Sequence, residues 1–285
     1  MGLLVALSLF SCSEDALEIT TNDEVSVENE AETDSYFEEV DDLSVIAVAS
    51  DDATLSGGKE ASGGRLIVIN DNRLDCATVE ITVADDSTPG NPKGTITIDF
   101  GDGCEDPRGN IRKGKIIITY NGRRFLAGSA IVTTFDGYSI NDIQIEGVRT
   151  VTNTTESIED HPKFNIVVDG GKATWPDGTF ATREANRTRE WIRATNPLQD
   201  EWRVTGTAAG TNRNGVAYTM EIIEALVYKR ECAVFSRIFM AVQGVKVLST
   251  ENRQITIDYG DGSCDRLVTV TINGESREVD VEDDD

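Results

Sequence analysis

The chain has 285 residues, with 51 acidic and 26 basic side chains, 5 cysteines, 1 histidine and a formal charge of −25. That length suits one large domain or two small ones, with ample chain to bury a core. The lone histidine, His161, excludes most zinc sites and His-pair catalysis, and charge this negative excludes nucleic acid and polybasic membrane binding as expected roles.

The charge is unevenly placed. Residues 1–60 hold 16 acids and one base, and the last eight residues hold six acids and no base. The 217 residues between them carry a net charge of only −4. Blocks of like charge repel and stay solvated, so both ends read as tails around a nearly neutral body.

Met1 to Phe10 reads MGLLVALSLF, an apolar run of signal-peptide type, and residues 1–11 are expected to be a signal peptide. Leu9-Phe10-Ser11-Cys12 resembles a bacterial lipobox, which implies cleavage before Cys12 and lipidation of its thiol. Each buried methylene of an anchor contributes ~0.8 kcal/mol, so several chains hold a protein where one holds it marginally. Ser13-Glu14-Asp15 resembles the acidic export signal of Bacteroidetes-type surface lipoproteins, implying the outer membrane and its outer leaflet.

Residues 12–64 read as an acidic tether, flexible over 13–35. Within it, Phe37, Val40, Ser44 and Ala47 fall at helical spacing and predict a short helix over 36–49. The β-branched Val45, Ile46 and Val48 support a strand there instead. Gly57-Gly58 and Gly63-Gly64 close the segment as a linker.

From residue 65 to 285 the pattern is β. Runs of Ile, Val, Thr and Tyr predict strands at 66–69, 77–84, 94–100, 115–121, 128–135, 138–152, 164–168 and 178–193. Others follow at 201–210, 215–229, 233–248, 254–259, 266–272 and 276–281. Asn121-Gly122, Asp136-Gly137, Asp177-Gly178, Asn214-Gly215 and Asn273-Gly274 read as hairpin-type turns. No strand alternates regularly with a helix, so the expected fold is all-β, a large antiparallel meander or sandwich.

The body contains a duplication. TITIDFGDGC at 95–104 recurs as QITIDYGDGSC at 254–264. Each copy is followed by a strand ending in Asn-Gly, and preceded by a cysteine expected to open a strand, Cys76 and Cys232. The units cover about 76–122 and 232–274. Four body cysteines allow three pairings. Opposed positions of an antiparallel pair lie ~4.5–5.5 Å apart, which favours Cys76–Cys104 with Cys232–Cys264, four buried thiols being the alternative. Cys12 is then the odd one, and two bridges fit an oxidising envelope.

Several groups are candidates for chemistry. Asp99 and Asp102, with Asp258 and Asp261 in the second copy, set two carboxylates three apart on a turn. Calcium is the cation such oxygens suit, with Asp106 or Asp265 assisting; the alternative is a turn whose Asp bonds the backbone. Arg183, Arg187, Arg189 and Arg193 share one strand face with Trp191. That ladder either grips an anionic glycan or carboxylate, or pairs with acids of neighbouring strands such as Glu201, Glu221 or Asp169. Trp175, Trp191, Trp202, Tyr218 and Tyr228 are candidates for an aromatic platform. No nucleophile elbow, P-loop or zinc-protease motif occurs, and no catalytic residue is assigned.

The IDFGDGC and IDYGDGSC units, KGKIIITYNGR at 113–123, the 206–219 stretch and the acidic lipobox together resemble repeat lipoproteins of Bacteroidetes-type envelopes. The resemblance implies envelope localisation and brings no activity with it. The expectation is therefore a lipid-anchored, non-enzymatic binding or structural module whose ligand is a glycan, a protein or a lipid. The alternatives are a carrier enclosing a lipid chain, suggested by the doubly apolar strand VAYTMEIIEALVY, and a glycan hydrolase using an unidentified carboxylate pair.

Overall fold

The computed structural model describes residues 21–55, 64–157 and 159–281. The expected signal peptide, Cys12, most of the Gly-Gly linker and the terminal acids 282–285 lie outside the described residues.

The body is all-β, as its patterning predicts. The first strands are β1 (Arg65–Ile67), β2 (Thr78–Val83), β3 (Lys93–Asp99), the short β4 (Cys104–Glu105) and β5 (Ile111–Asn121). Then come β6 (Ala130–Ile140), β7 (Ile143–Asn153), β8 (Lys163–Thr174), β9 (Phe180–Ile192) and β10 (Glu201–Thr211). The chain ends through β11 (Ala217–Lys229), β12 (Gln243–Thr250), β13 (Gln254–Asp261), β14 (Leu267–Ile272) and β15 (Glu275–Asp280). All pair antiparallel with their neighbours in chain order, in one meandering sheet, with β4 set beside β5. Strong alternation, as in the burial of Gly94, Ile96 and Ile98 along β3, puts one face of each strand inward.

Two disulfides brace the duplicated units. Cys76 joins Cys104 and Cys232 joins Cys264, with Cα separations of 5.5 and 5.1 Å. Closing loops of about 30 residues is worth roughly 3.5 kcal/mol each in the chain-entropy model. The copies differ at their start. Cys76 leads almost directly into β2, whereas Cys232 opens a helical turn, Cys232–Ser236, and β12 begins only at Gln243. The strand expected over 233–248 is thus half irregular, because Arg237 adopts a left-handed φ of 54° that ends the turn.

Glycines shape the sheet more than its turns. Asp136-Gly137, read as a hairpin, instead sits inside β6 at a shift in strand register. The reversal comes after Ile140, where Asn141 and Asp142 take φ of 50° and 63° between the paired Ile140 and Ile143. Register also shifts near Gly114, Gly147, Gly170, Gly206 and Gly244, all at positive φ. Bulges of this kind bend the strands that carry them. At Gly147 a Cβ would meet Gly171 Cα at 2.8 Å, so here the backbones themselves touch.

The largest departure from expectation is the N-terminal segment. Thr21–Leu55 is one continuous helix, α1, where a flexible tether with a short helix over 36–49 was expected. Its apolar side, Phe37, Val40, Leu43, Ala47 and Val48, is buried in the same core as the sheet. Side chains of α1 reach strands from β5 to β12. Residues 30 to 39 rise only about 13 Å along a helix. A flat sheet would set β5 and β12 about 34 Å apart. The sheet therefore curves around α1 as a trough, and the helix becomes part of the core.

Candidate functional site

The inner face of β9 carries Arg183, Arg187, Arg189 and Trp191 on alternate positions, as its sequence predicts. The arginines do not pair with Glu201, Glu221 or Asp169 of neighbouring strands, because those face elsewhere. They meet α1 instead. Glu30, Asp34, Glu38 and Asp41 recur at intervals of four, four and three, which places them in one stripe of a helix. Arg183 donates to Glu30 at 2.9 Å and Asp34 at 2.7 Å, and Arg187 to Asp34 at 2.7 Å. Arg189 pairs with Glu38 and Asp41.

Further cations complete the network. Arg149 of β7 pairs with Asp41, Arg112 of β5 with Glu39 and the buried Asp106, and Lys246 of β12 with Glu30. The side chains of Arg112, Arg149 and Arg183 are at most 2% exposed, so these charges are held by their partners alone. Burial pushes the Glu30 carboxyl pKa up, but Lys246, Arg183 and Arg187 outweigh it and hold it at about 2. Burial likewise raises the Glu38 carboxyl, and Arg189 and Arg149 outweigh it, holding it below the usual carboxylate range. Arg193 stands apart: it is exposed and donates to the carbonyl of Asp160.

Beside α1 the trough remains open. A cleft of about 830 Å³ lies over the inner face of β9 to β13. Its floor includes Trp191, Trp202, Leu226 and Tyr228, and one wall is α1 with Asp34 and Glu38. The roof is the segment after Cys232, through Ile238, Phe239 and Met240. Trp191 and Trp202 are direct cross-strand partners and stack at 5.5 Å with an interplanar angle of 20°. Trp191 Nε1 donates to Asp200 at 3.1 Å, which pins the indole edge. Phe164 and Phe125 back the pair, with centroids 6.5 Å from Trp202 and 5.9 Å from Trp191 respectively.

The other candidates for a platform are elsewhere. Trp175 is buried under the guanidinium of Arg213, 4.3 Å from its centroid, and Tyr218 is buried in the core. Sequence reasoning found Trp191, Trp202 and Tyr228 but not the cleft's roof, whose signal was the apolar run IFMAV at 238–242 read as strand.

The repeated turns bond their own backbone. Asp99 accepts from Gly101 N and Asp258 from Gly260 N, both at 2.9 Å, and Asp261 accepts from Ser263 N at 3.0 Å. Asp102 is exposed, and Asp106 is turned inward to Arg112. Among the described residues no three His, Cys, Asp or Glu side chains group as metal ligands.

Comparison with known proteins finds no matching family, no matching curated protein and no matching solved structure.

Proposed function

We propose that this chain is an outer-membrane lipoprotein, anchored through Cys12, whose β body is a non-enzymatic binding module with the cleft as its ligand site. The observation that carries the reading is the stacked Trp191–Trp202 pair flooring an open cleft. Rigid aromatic faces bind with little loss of side-chain entropy, and concave, mainly apolar walls are the usual setting for a small ligand. Glu38 at this cleft is held ionised by Arg189 and Arg149, so it does not suit the role of a glycosidase's general acid, which needs a raised pKa. The two disulfides accord with an oxidising envelope compartment.

Two measurements test these parts separately. Cys12→Ala is expected to move the protein from the membrane fraction to the soluble one; unchanged membrane association would overturn the anchor. For the module, tryptophan emission of the full chain is followed against soluble glycans, peptides and short alkyl compounds. At least one class is expected to shift it, with Trp202→Ala weakening that ligand at least about tenfold. No response to any class would overturn the binding reading.

A further inference from the structure

The two duplicated units differ in what covers their inner faces. In the first, the ring of Phe100 after β3 is buried and packs on Tyr138 at 5.8 Å. Its counterpart in the second, Tyr259, is only partly buried and borders the cleft. The second unit also carries residues 233–242 between its cysteine and β12, where the first has Ala77 alone before β2. Those extra residues make the cleft's roof, anchored by Cys232–Cys264. They leave Phe239 69% exposed at its rim.

Charge is graded along the cleft. Arg187, Arg189 and Lys246 are already matched by acids of α1. At the strand ends the cations are less neutralised. Lys229 Nζ donates to the Gly262 carbonyl at 2.6 Å and has no carboxylate of the described residues within ion-pair distance. Arg230 is 3.8 Å from Asp200, with 53% of its side chain exposed. Between α1 and this cationic end Trp202, Leu226, Tyr228 and Met240 offer apolar surface that suits an alkyl chain.

We propose that the cleft binds a single-chain anionic amphiphile. Its alkyl chain lies on Trp202, Leu226 and Tyr228 beneath Phe239, and its carboxylate or phosphate head meets Lys229 and Arg230. The proposal rests on the cleft being the ligand site. At the α1 end Asp34 and Glu38 already occupy Arg187 and Arg189, so no cation there is left for an acidic head, which sets the ligand's direction. The cleft's volume of about 830 Å³ is in the range of small-molecule sites, ~300–1,000 Å³.

The test is titration of the full chain, below micellar concentrations, with octanoate, decanoate, dodecanoate, dodecanol and dodecyl phosphate. Affinity is expected to rise about fourfold per methylene. Dodecanoate or dodecyl phosphate is expected to bind at least about tenfold more tightly than dodecanol, and the stronger of the two identifies the head. Lys229→Gln with Arg230→Gln should abolish that advantage while leaving dodecanol binding unchanged, a cooperative thermal transition showing that the variant is folded. Equal binding of dodecanol and both acids, or affinity independent of chain length, would overturn the proposal. If no alkyl compound binds while a glycan or peptide still shifts tryptophan emission, this inference fails and the binding-module reading stands. If nothing binds, both fail.

Discussion

Residues 64–281 expressed without α1 are expected to lack a cooperative thermal transition and to bind a hydrophobic dye. Phe37, Val40, Leu43 and Val48 bury side chains worth about 1.5–3 kcal/mol each. Their gross sum is comparable with the whole stability of a typical domain, about 5–15 kcal/mol. Removing α1 also strips Glu30, Asp34, Glu38, Glu39 and Asp41 from the cations lining the trough. Arg149 and Arg183 would then lose all their carboxylate partners beside an opened core. A peptide of residues 21–55 added in trans should restore a transition. Cooperative melting of the shortened chain near the temperature of the full one would show α1 to be an appendage.

Arg183→Met is expected to cost about 3–5 kcal/mol, the range for breaking a buried ion pair by deleting one partner. Arg183 is fully buried and is shared by Glu30 and Asp34, so its loss leaves two carboxylates short of a donor. In a chain of this size that is a fall in melting temperature of roughly 6–20 °C. Glu30→Gln combined with Arg183→Met should cost less than the sum of the single changes, since the two groups share one network.

The same network sets the acid limb of stability. The folded Glu30 carboxyl, at about 2, lies below its ordinary value of 4.5. Its contribution is therefore complete above the unfolded pKa and is lost as pH falls from about 5 toward 2. In Arg183→Met, with one cation gone and the folded carboxyl raised, the decline should be smaller and should end at higher pH. A melting temperature unchanged by the substitution, or an acid limb at the same pH in both proteins, would refute this account of the network.

Much of the fold was legible because it depends on local rules. Alternation of apolar and polar residues marks strands whatever their neighbours, so most strand positions were readable to within a few residues. Asn273-Gly274 was readable as a two-residue turn because only certain residues accept its φ values. Gly137 was misread because the same conformational freedom serves a bulge inside a strand as well as a turn between strands. The segment after Cys232 was misread because an apolar run has the same composition in a strand as in a cleft roof.

The candidate site was legible only in halves. Four odd-numbered arginines on one strand face and a stripe of acids at helical spacing are each visible in one dimension. Their match is not, since Glu30 and Arg183 are 153 residues apart in the chain. An acidic run in isolation is most simply solvated, and 13–35 read that way.

What the sequence by itself determined is the antiparallel β body and its duplication, because strand periodicity and a repeated motif are local consequences of residue order. What only the tertiary structure decided is the meaning of the N-terminal acidity. Charges of the body total nearly zero, yet several of its cations are buried where water cannot reach them. Curvature of the sheet brings them to one groove, and α1 supplies the carboxylates that make their burial tolerable. The cleft exists for the same reason: the trough is wider than the helix that lies in it.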